Sequence, residues 1–250
     1  MKCKCCGRST KILGNVNFSK SCQDRHGVKV FEESPVEVTY RRCESCGFIF
    51  TTLCDDWSPE DFKAKIYNAD YCKADGVIPG TEGRDLGYES GLEIAHHLKG
   101  SEENISILDF GSGGNPGSFG KALIEKGFNV TSYDPFRSDV KDIKPNKKFD
   151  FVLSIEVFEH CHDLEEVLKK LDKHTKENSM ILFSTMLHQN VPDPEQLVSW
   201  YIAPRNGHIS IFTFEAIWVL LRRINFNVVK SPFGLLAIKG KPSFRNNYWC

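Results

Sequence analysis

The sequence predicts an α/β fold with a mostly parallel sheet, preceded by a small cysteine-rich module. From Asn104 onward, short apolar runs alternate with helical patterns, which is typical of a parallel sheet that helices cover on both faces. Most of the ten cysteines lie in the first 72 of 250 residues. At about 100–200 residues per domain, this length fits one substantial domain and a smaller module.

The composition argues against several classes of protein. Hydrophobic residues make up 40% and charged residues 26% of the chain, which is ordinary for a globular protein and argues against wholesale disorder. A net charge of -1 argues against a protein that coats nucleic acid. No run approaches the ~18 apolar residues of a membrane span, and the first residues lack the apolar core of a signal peptide. We therefore expect a cytoplasmic protein with no membrane partner.

The first part of the chain contains a strand candidate at residues 36–40, whose residues alternate in character. An apolar stretch at 48–50 follows. Ser58 is positioned to cap a helix that has Pro59 in its first turn. Residues 62–83 are rich in tyrosine and then in glycine, which indicates a connector. A helix is expected near 85–99, with an apolar set of Leu86, Leu92, Ala95 and Leu98.

The alternating part of the chain predicts strands separated by helices. One helix, carrying Phe119, Ala122 and Leu123, is expected to end at Gly127, because glycine is common just after the last helical turn. Asp163 is expected to cap another helix, and a third covers residues 214–223. The predicted strands span residues 105–110, 128–133, 149–155, 180–185, 226–230 and 235–239.

A glycine-rich loop joins the first of these strands to the next helix. Glycines there let a ligand approach the backbone, and the helix N-terminus adds a favourable local field. Asp134 stands 21 positions after Gly113, at the end of the next strand, where a carboxylate can accept hydrogen bonds from both ribose hydroxyls. The spacing after Gly111 departs from the dinucleotide fingerprint, and Asp109 suits an amine better than a pyrophosphate. The pattern favours a nucleoside ligand over a purely structural turn.

These residues resemble a known family. Residues 108–113, Leu-Asp-Phe-Gly-Ser-Gly, resemble motif I of class I S-adenosylmethionine-dependent methyltransferases, and Asp134 matches the family's ribose-binding acidic residue. Residues 149–160 resemble its fourth strand and the segment after it. The resemblance covers about residues 85–240 and implies a Rossmann-like class I methyltransferase fold with S-adenosylmethionine as cofactor. The cofactor contacts that we expect are Asp109, Gly111, Ser112, Gly113, Asp134, Pro135 and Glu156.

The chain departs from the family between the second and fourth strands. Only fifteen residues separate Asp134 from Asp150. We therefore expect the third strand, and the acidic residue that commonly meets adenine at its end, to be shortened or absent. Asp142 with Ile143 is the candidate adenine contact that is left.

Two histidines are candidates for catalysis. The sulfonium methyl is already electrophilic, so the protein must mainly hold a nucleophile in line with it, and a base is needed only if the acceptor loses a proton. His160 follows the fourth strand at the carboxyl edge of the sheet. His208 lies in residues 201–210, an insertion that in related small-molecule methyltransferases lines the acceptor pocket. We expect His208 and His160 to act as base or acceptor ligand, and Arg205 and Tyr201 to contact the acceptor. The alternatives are a packing or capping histidine and a solvated arginine.

The cysteine-rich module contains two pairs with metal-ligand spacing. Cys3 and Cys6 form the first pair, and Cys43 and Cys46 form the second, 36 residues later. Four thiolates at this spacing can close a tetrahedral Zn²⁺ site, which would be structural because it leaves no open position. Cys5 could replace Cys3 or Cys6. The alternative is a set of buried, reduced thiols.

Two tyrosines follow this module. Tyr67 and Tyr71 share one face if their segment is helical. The order of these segments along the chain is similar to that in sugar C-methyltransferases, in which a zinc module precedes a tyrosine-bearing segment that covers the cofactor. That resemblance implies that Tyr67 and Tyr71 contact cofactor or acceptor; the alternative is packing between domains. The predicted division is a zinc-binding module (1–56), a connector or cofactor-covering segment (57–84) and a methyltransferase domain (85–250).

The predicted function is methyl transfer to a small polar acceptor, such as a nucleotide sugar or a phosphorylated precursor of a cell-surface polysaccharide. One alternative is an RNA or protein methyltransferase that the zinc module recruits to its substrate. The balanced net charge argues against nucleic acid, although the first 50 residues carry nine Lys and Arg against five Asp and Glu. A second alternative is a non-catalytic cofactor-binding protein, which the intact Gly111, Gly113 and Asp134 argue against. The sequence assigns no oligomeric state.

Overall fold

The computed structural model describes residues 1–27, 29–76, 81–140, 142–188 and 195–243. The chain forms two compact units. The first comprises Met1–Ile78, Phe158–Val167 and Thr185–Leu220, and the second comprises Pro79–Val157, Leu168–Ser184 and Leu221–Cys250. Residues 1–56, predicted as a zinc-binding module, fall in the first unit; the predicted division into 1–56, 57–84 and 85–250 stays a prediction.

The order of strands and helices is irregular in the first part of the chain, and from β4 onward strands mostly alternate with helices. Short 3₁₀ helices lie at Cys22–His26, Phe158–His160, Glu195–Val198 and Pro204–Asn206. The other elements in chain order are β1 (Thr10–Asn17), β2 (Glu37–Cys43), β3 (Ile49–Thr51), α1 (Pro59–Lys65), α2 (Tyr71–Asp75), α3 (Leu86–His97), β4 (Ser106–Phe110), α4 (Ser118–Glu125), β5 (Asn129–Tyr133), β6 (Phe149–Ile155), α5 (Leu164–His174), β7 (Thr175–Ser184), β8 (Ser210–Ile211), α6 (Phe214–Arg222), β9 (Asn227–Ser231) and β10 (Gly234–Lys239).

The first unit is built around a four-stranded antiparallel sheet of order β1-β2-β3-β8. The strand predicted at 36–40 is confirmed within β2, whose inward residues Val38 and Tyr40 are fully buried. The sequence did not predict β1 or β8. Most of β1 is partly or fully exposed and a register shift interrupts it beside Gly14, so its residues show no clean alternation. β8 is two residues long and is defined by its pairing with β3.

Two helices of the first unit lie in the predicted connector. α1 begins as expected, because the Ser58 hydroxyl accepts a hydrogen bond from the Asp61 N–H and Pro59 occupies the first turn. Asp61 in turn accepts a hydrogen bond from the Ser58 N–H at 3.0 Å, which completes a capping box. α2 is only five residues long, which is too short for a helical pattern to be visible in the sequence.

The second unit contains a six-stranded sheet of order β5-β4-β6-β7-β10-β9. The pairs β5–β4, β4–β6 and β6–β7 are parallel, whereas β10 runs antiparallel to both β7 and β9. The predicted mostly parallel α/β sheet is thereby confirmed. Among the described residues, no strand lies between Tyr133 and Phe149, as the short spacing there predicted. β6 has the predicted bounds, and β7 begins earlier than predicted.

Helices α3 and α4 pack against each other in the second unit. A side chain at Gly91 of α3 would place its Cβ 2.8 Å from the Cβ of Ala122, so glycine permits the close approach. α3 buries Ile94 and Ala95, whereas Leu86 and Leu92, predicted for its apolar face, are only partly buried. Within the described ranges, every helix is too short or too polar to span a bilayer.

The buried core of the second unit lies between its sheet and these helices. Its residues come from both the sheet and the helices: Ile94, Ala95, Leu98, Ile105, Ile107, Leu123, Phe128, Phe151, Leu153, Met180, Leu182, Leu236 and Ile238. At about 25 cal/mol per Å² of apolar surface removed from water, each Ile, Leu, Phe or Met side chain in this core contributes about 1.5–3 kcal/mol. Both β4 and α4 contribute residues to this core, and these two elements flank the loop described next.

Candidate functional site

The glycine loop, residues 111–117, joins the end of β4 to the start of α4. The N–H groups of Gly111 and Ser112 both donate to the carbonyl oxygen of Tyr133, at 2.7 and 3.1 Å. Gly111 has a φ of +78°, and a Cβ there would lie 2.5 Å from Cγ2 of Val157. Gly113 also has a left-handed φ, of +64°. The backbone conformation of this loop therefore requires glycine at the positions that the motif predicts.

Asp134 lies beside the glycine loop, at the end of β5. Its Oδ2 accepts a hydrogen bond from the Gly113 N–H at 2.9 Å, and its Oδ1 accepts one from the Phe136 N–H at 2.9 Å. The carboxylate is therefore held in place by two backbone donors, and each oxygen keeps further lone pairs for ligand hydroxyls. Pro135 is exposed next to it. The structure thus brings together the loop and the acidic residue that the sequence paired by spacing alone.

A cavity of about 400 Å³ lies against the glycine loop. This volume falls in the range of small-molecule sites in proteins, about 300–1,000 Å³. Two of its walls are apolar, from Phe119 and Ile155. The complete lining is Asp109, Gly111, Ser112, Gly113, Gly114, Pro116, Gly117, Ser118, Phe119 and Ile155.

The Asp109 side chain lines this cavity, and it is only 6% exposed. Its Oδ2 has no hydrogen-bond partner among the residues that the structure describes. The pKa of this carboxyl is raised to about 7, mainly by burial and also by the charge of Asp134, although a backbone hydrogen bond from Gly120 lowers it. A buried carboxylate oxygen without a partner is costly, and a ligand ammonium would compensate it. S-adenosylmethionine carries an ammonium group and a ribose, so Asp109 and Asp134 fit this cofactor.

Glu156, also predicted to bind the cofactor, is the first residue after β6. Its φ of +51° is rare for a residue with a side chain and costs about 1–2 kcal/mol. Its N–H donates to the Ser184 carbonyl at 3.1 Å, and its carboxylate accepts a hydrogen bond from the Ser184 hydroxyl at 2.6 Å. Backbone strain of this kind is frequent at functional sites. The role of Glu156 toward the cofactor stays a prediction.

The first unit contains a second polar group, which we call the histidine cluster: Glu159, His160, Tyr201 and His208. The Tyr201 hydroxyl donates to Oε1 of Glu159 at 2.7 Å. The Tyr201 carbonyl oxygen lies 2.9 Å from Nδ1 of His208. The ring centroids of His160 and His208 are 5.0 Å apart, and those of Tyr201 and His208 are 4.3 Å apart. The structure thus brings both predicted catalytic histidines together.

Aromatic rings lie close to the His160 side chain. Burial lowers the pKa of His160 to about 3, and the neighbouring His208 contributes to the decrease. The ring centroid of Tyr67 lies 6.2 Å from that of His160, and Tyr67 and Tyr71 are 5.2 Å apart. Burial also raises the pKa of Tyr71. The two rings are in contact, although Tyr67 precedes α2 and only Tyr71 is helical. Whether the tyrosines contact cofactor or acceptor stays a prediction.

Arg205 is buried, so the alternative of a solvated loop arginine is wrong. It is 6% exposed, and its guanidinium donates to the Ile66 carbonyl at 2.9 Å and to Oδ1 of Asn68 at 2.8 Å. The guanidinium also lies 4.7 Å from the centroid of the Phe31 ring. Desolvation lowers the pKa of Arg205. Arg205 and Tyr201 thus make hydrogen bonds within the protein, and their predicted contact with an acceptor stays a prediction.

The four predicted metal ligands converge in the first unit. The sulfur atoms of Cys3 and Cys46 are 3.7 Å apart, those of Cys6 and Cys43 are 3.4 Å apart, and all four lie within 4.8 Å of one another. A tetrahedral site with zinc–sulfur bonds of about 2.3 Å needs sulfurs about 3.8 Å apart, so the spacing fits. The converging group includes Cys3 and Cys6 and leaves out Cys5, whose N–H lies 3.4 Å from the Cys3 sulfur.

A family model described as a methyltransferase domain matches residues 88–231, more than half of the chain. The chain belongs to this family. The resemblance to class I S-adenosylmethionine-dependent methyltransferases is thereby confirmed. The parallel sheet, the glycine loop and the Asp134 carboxylate are the parts of the family pattern that the structure contains.

Curated relatives include the ubiquinone biosynthesis O-methyltransferases of Rickettsia akari (strain Hartford) and Rickettsia canadensis (strain McKiel). The first is 27% identical over 143 residues, covering 46% of this chain and 55% of the relative. The second is 27% identical over 131 residues, covering 42% of this chain and 54% of the relative. The chain therefore spans about half the length of the curated relatives it matches.

Similar solved structures are also methyltransferases. The 1,6-didemethyltoxoflavin-N1-methyltransferase of Burkholderia thailandensis, solved with S-adenosylhomocysteine, is 15% identical with a TM-score of 0.49, over 82% of this chain and 96% of that one. The plantazolicin methyltransferase BpumL, also solved with S-adenosylhomocysteine, is 15% identical with a TM-score of 0.48. The match covers 73% of this chain and 98% of that one.

Proposed function

We propose that the protein transfers the methyl group of S-adenosylmethionine to a small polar acceptor. The observation that carries this proposal is the buried Asp109 carboxylate, whose Oδ2 has no partner among the described residues and which lines the cavity beside the glycine loop. An ammonium group compensates such a carboxylate, and Asp134 offers two oxygens to a ribose. A ligand that is both an amino acid and a nucleoside satisfies both residues at once.

Each group of residues has a defined task in this proposal. Gly111, Ser112 and Gly113 bring backbone close to the amino-acid part of the cofactor, and Phe119 and Ile155 exclude water from the cavity. When bound, S-adenosylmethionine supplies an electrophilic methyl group. The protein's remaining tasks are to hold the acceptor and to accept a proton where the acceptor has one to lose.

His208 is the stronger candidate for the proton acceptor. Its Nδ1 lies 2.9 Å from the Tyr201 carbonyl oxygen, and a carbonyl only accepts hydrogen bonds. Nδ1 therefore carries the proton of the neutral imidazole, and Nε2 keeps its lone pair. His160 is the second candidate. Turnover by His208→Ala and His160→Ala tests both roles: if each variant keeps wild-type turnover with the true acceptor, neither histidine is the base.

We also propose that Cys3, Cys6, Cys43 and Cys46 bind a structural Zn²⁺ ion. The spacing of the four sulfurs supports this, as does the Cys46 N–H, 3.5 Å from the Cys43 sulfur, because backbone donors commonly orient thiolate ligands. The ion would tie the first residues of the chain to the end of β2. Four protein ligands leave no position for catalysis, so its contribution would be to stability.

The acceptor that we propose is a small molecule with a hydroxyl group. The architecture predicted from the sequence favours a nucleotide sugar or a phosphorylated precursor of a cell-surface polysaccharide. The names of the Rickettsia relatives favour a second candidate, an intermediate of ubiquinone biosynthesis that accepts the methyl group on oxygen. Transfer of labelled methyl from S-adenosylmethionine to a panel with both classes separates them. Retention on an RNA column at physiological salt would instead favour the RNA-methyltransferase alternative.

Calorimetric titration with S-adenosylhomocysteine tests the cofactor assignment itself. We expect binding by the wild-type chain and strong weakening in Asp134→Ala. A folded wild-type chain that does not bind S-adenosylhomocysteine would refute the proposal. Cofactor binding without turnover across a wide acceptor panel would favour the non-catalytic alternative. The cytoplasmic location and the absence of a membrane partner stay predictions.

A further inference from the structure

We propose that the histidine cluster binds a divalent transition-metal ion through Glu159, His160 and His208. One ligand atom from each of the three residues lies within 4.8 Å of the other two. Glu159 and His160 come from the 3₁₀ helix Phe158–His160, and His208 follows the 3₁₀ helix Pro204–Asn206. A carboxylate with two imidazoles is a donor set that proteins use for single Zn²⁺ and Fe²⁺ ions with an open coordination position.

The His208 ring is oriented as in a metal-binding histidine. Its Nδ1 proton points to the Tyr201 carbonyl oxygen at 2.9 Å, so Nε2 carries the lone pair that a metal needs. Metal-binding histidines almost always use their second nitrogen in this way, because the outer hydrogen bond sets both tautomer and ring direction. The backbone at His208 is also held, since the Tyr40 hydroxyl donates to its carbonyl oxygen at 2.7 Å.

Tyr201 also positions the carboxylate. Its hydroxyl donates to Oε1 of Glu159 at 2.7 Å and accepts a hydrogen bond from the Met186 N–H at 3.1 Å. One tyrosine therefore contacts two of the three proposed ligands, through its hydroxyl and its carbonyl. The Glu159 side chain is wholly buried, and buried carboxylates are stable when donors or a cation compensate them. We infer that Tyr201 is a positioning residue.

His160 completes the set. Its Nδ1 is buried and makes no hydrogen bond of normal geometry in the described part of the chain, although the backbone of Gly207 and Asn206 lies close enough to the imidazole to raise its pKa. Gly207, with a φ of +83°, lets this ring approach the backbone, since a Cβ there would lie 3.1 Å from the same nitrogen. A buried imidazole nitrogen without a hydrogen bond of normal geometry is unusual, and a metal bond satisfies an imidazole as a hydrogen bond does.

This inference rests on the proposed function in one respect. Three protein ligands leave a coordination position open, and a hydroxyl bound there has a lowered pKa. His208 and His160 would then act as metal ligands in place of the base role considered above. The metal site itself is testable without any acceptor.

The experiment measures metal bound per chain, in full-length protein loaded with Zn²⁺ and with Co²⁺ and then desalted. We expect two equivalents in the wild-type chain. Co²⁺ separates the sites, because only thiolate ligands give sulfur-to-cobalt charge-transfer absorption. Glu159→Gln and His160→Ala should each lose one equivalent and keep the thiolate absorption. The control is His96→Ala, an exposed histidine of α3, which should keep both equivalents.

A second variant tests the positioning role. Tyr201→Phe removes only the hydroxyl that holds Glu159, and we expect the affinity of the second site to fall about 10–100-fold with unchanged thiolate absorption. The inference is overturned if the wild-type chain binds a single equivalent that Cys43→Ser abolishes, or if Glu159→Gln still binds two. Should a variant fail to fold, the wild-type stoichiometry decides.

Titration of the same wild-type protein with S-adenosylhomocysteine keeps the two proposals apart. Binding of S-adenosylhomocysteine by a chain that lacks the second metal overturns only this inference. A second metal in a chain that does not bind S-adenosylhomocysteine overturns only the proposed function.

Discussion

The glycine loop and the histidine cluster are built in opposite ways. The loop is one continuous segment between β4 and α4, and its partners Asp134 and Tyr133 come from the neighbouring strand. The histidine cluster combines residues 159–160 with Tyr201 and His208, and its supporting hydrogen bonds reach Tyr40. The first site depends on backbone conformation that a motif encodes. The second depends on contacts between segments that are distant in the sequence.

This difference predicts different sensitivities to substitution. The loop should respond to changes in backbone freedom and in its two carboxylates. The cluster should respond to anything that disturbs the first unit's sheet, because Tyr40 of β2 holds the backbone at His208. The predictions below test this contrast, from the largest expected effect to the smallest.

The largest effect should come from Cys43→Ser, at the end of β2. Structural zinc binding in small modules is worth about 10–16 kcal/mol, so losing one thiolate ligand should strip the metal and unfold the small sheet. We expect lost zinc and a much lower midpoint of thermal unfolding. Metal analysis and circular dichroism measure these. The control is Cys72→Ser, an exposed thiol outside the cluster of four. Unchanged metal content in Cys43→Ser would contradict the prediction.

The next effect concerns the loop site. Asp134→Ala removes a carboxylate that we expect to accept two ribose hydroxyls, at about 1.5–3 kcal/mol for each hydrogen bond to a charged group. The dissociation constant for S-adenosylhomocysteine should rise about 100-fold or more, measured by calorimetry. Glu93→Gln, an exposed carboxylate on α3, serves as the control. A change below about threefold would place the ribose elsewhere.

The Asp109 carboxyl predicts a pH dependence of cofactor binding. Its pKa is raised to about 7, mainly by burial, so the anion that attracts the ligand ammonium predominates only above that pH. Affinity for S-adenosylhomocysteine should fall as the pH drops from 8 to 6, by up to about tenfold per unit below the pKa. Asp109→Asn should bind weakly with a flat profile. A wild-type profile as flat as that of the variant would contradict this role.

The Asp109 carboxyl predicts that stability changes with pH in the opposite direction to cofactor affinity. Because the folded-state pKa lies above the unfolded value, the folded chain binds the proton more tightly, and its free energy of unfolding falls as pH rises from about 4 to 7. Asp109→Asn removes this decrease in the free energy of unfolding, because asparagine does not ionise. Urea unfolding should therefore show a larger stabilisation by Asp109→Asn at pH 8 than at pH 5. An equal effect at both pH values would show that the carboxyl is not strained by burial.

The smallest effect compares two glycines. Gly100→Ala places a side chain at a φ of +89° in open space, which should cost about 1 kcal/mol of unfolding free energy. Gly111→Ala adds an overlap with Val157, so we expect a further loss of about 1–3 kcal/mol. Chemical denaturation measures both. Equal losses would mean that the loop relaxes to accept the side chain.

Much of the fold was predictable because it depends on local patterns. The apolar run 149–155 coincides with β6, and Ser58 and Asp163 cap their helices as expected. The start of β7 was placed too late, because the polar residues before Met180 mask an extended backbone. β8 was missed because two residues carry no pattern without their partner strand. A strand or helix can be recognised in a sequence only where its hydrophobic pattern extends over several residues or a capping residue marks its end.

The sequence by itself determined the glycine loop, the pairing of Asp134 with Gly113, and the spacing of the four cysteines. Each follows from backbone freedom, strand order or ligand chemistry that acts over short distances along the chain. Only the tertiary structure decided that the buried Arg205 side chain binds Ile66 and Asn68, that Cys5 stays outside the cluster of four cysteines, and that Tyr201 joins Glu159 to His208. These contacts join residues far apart in sequence, and such pairings arise from packing of the whole unit, which no local pattern encodes.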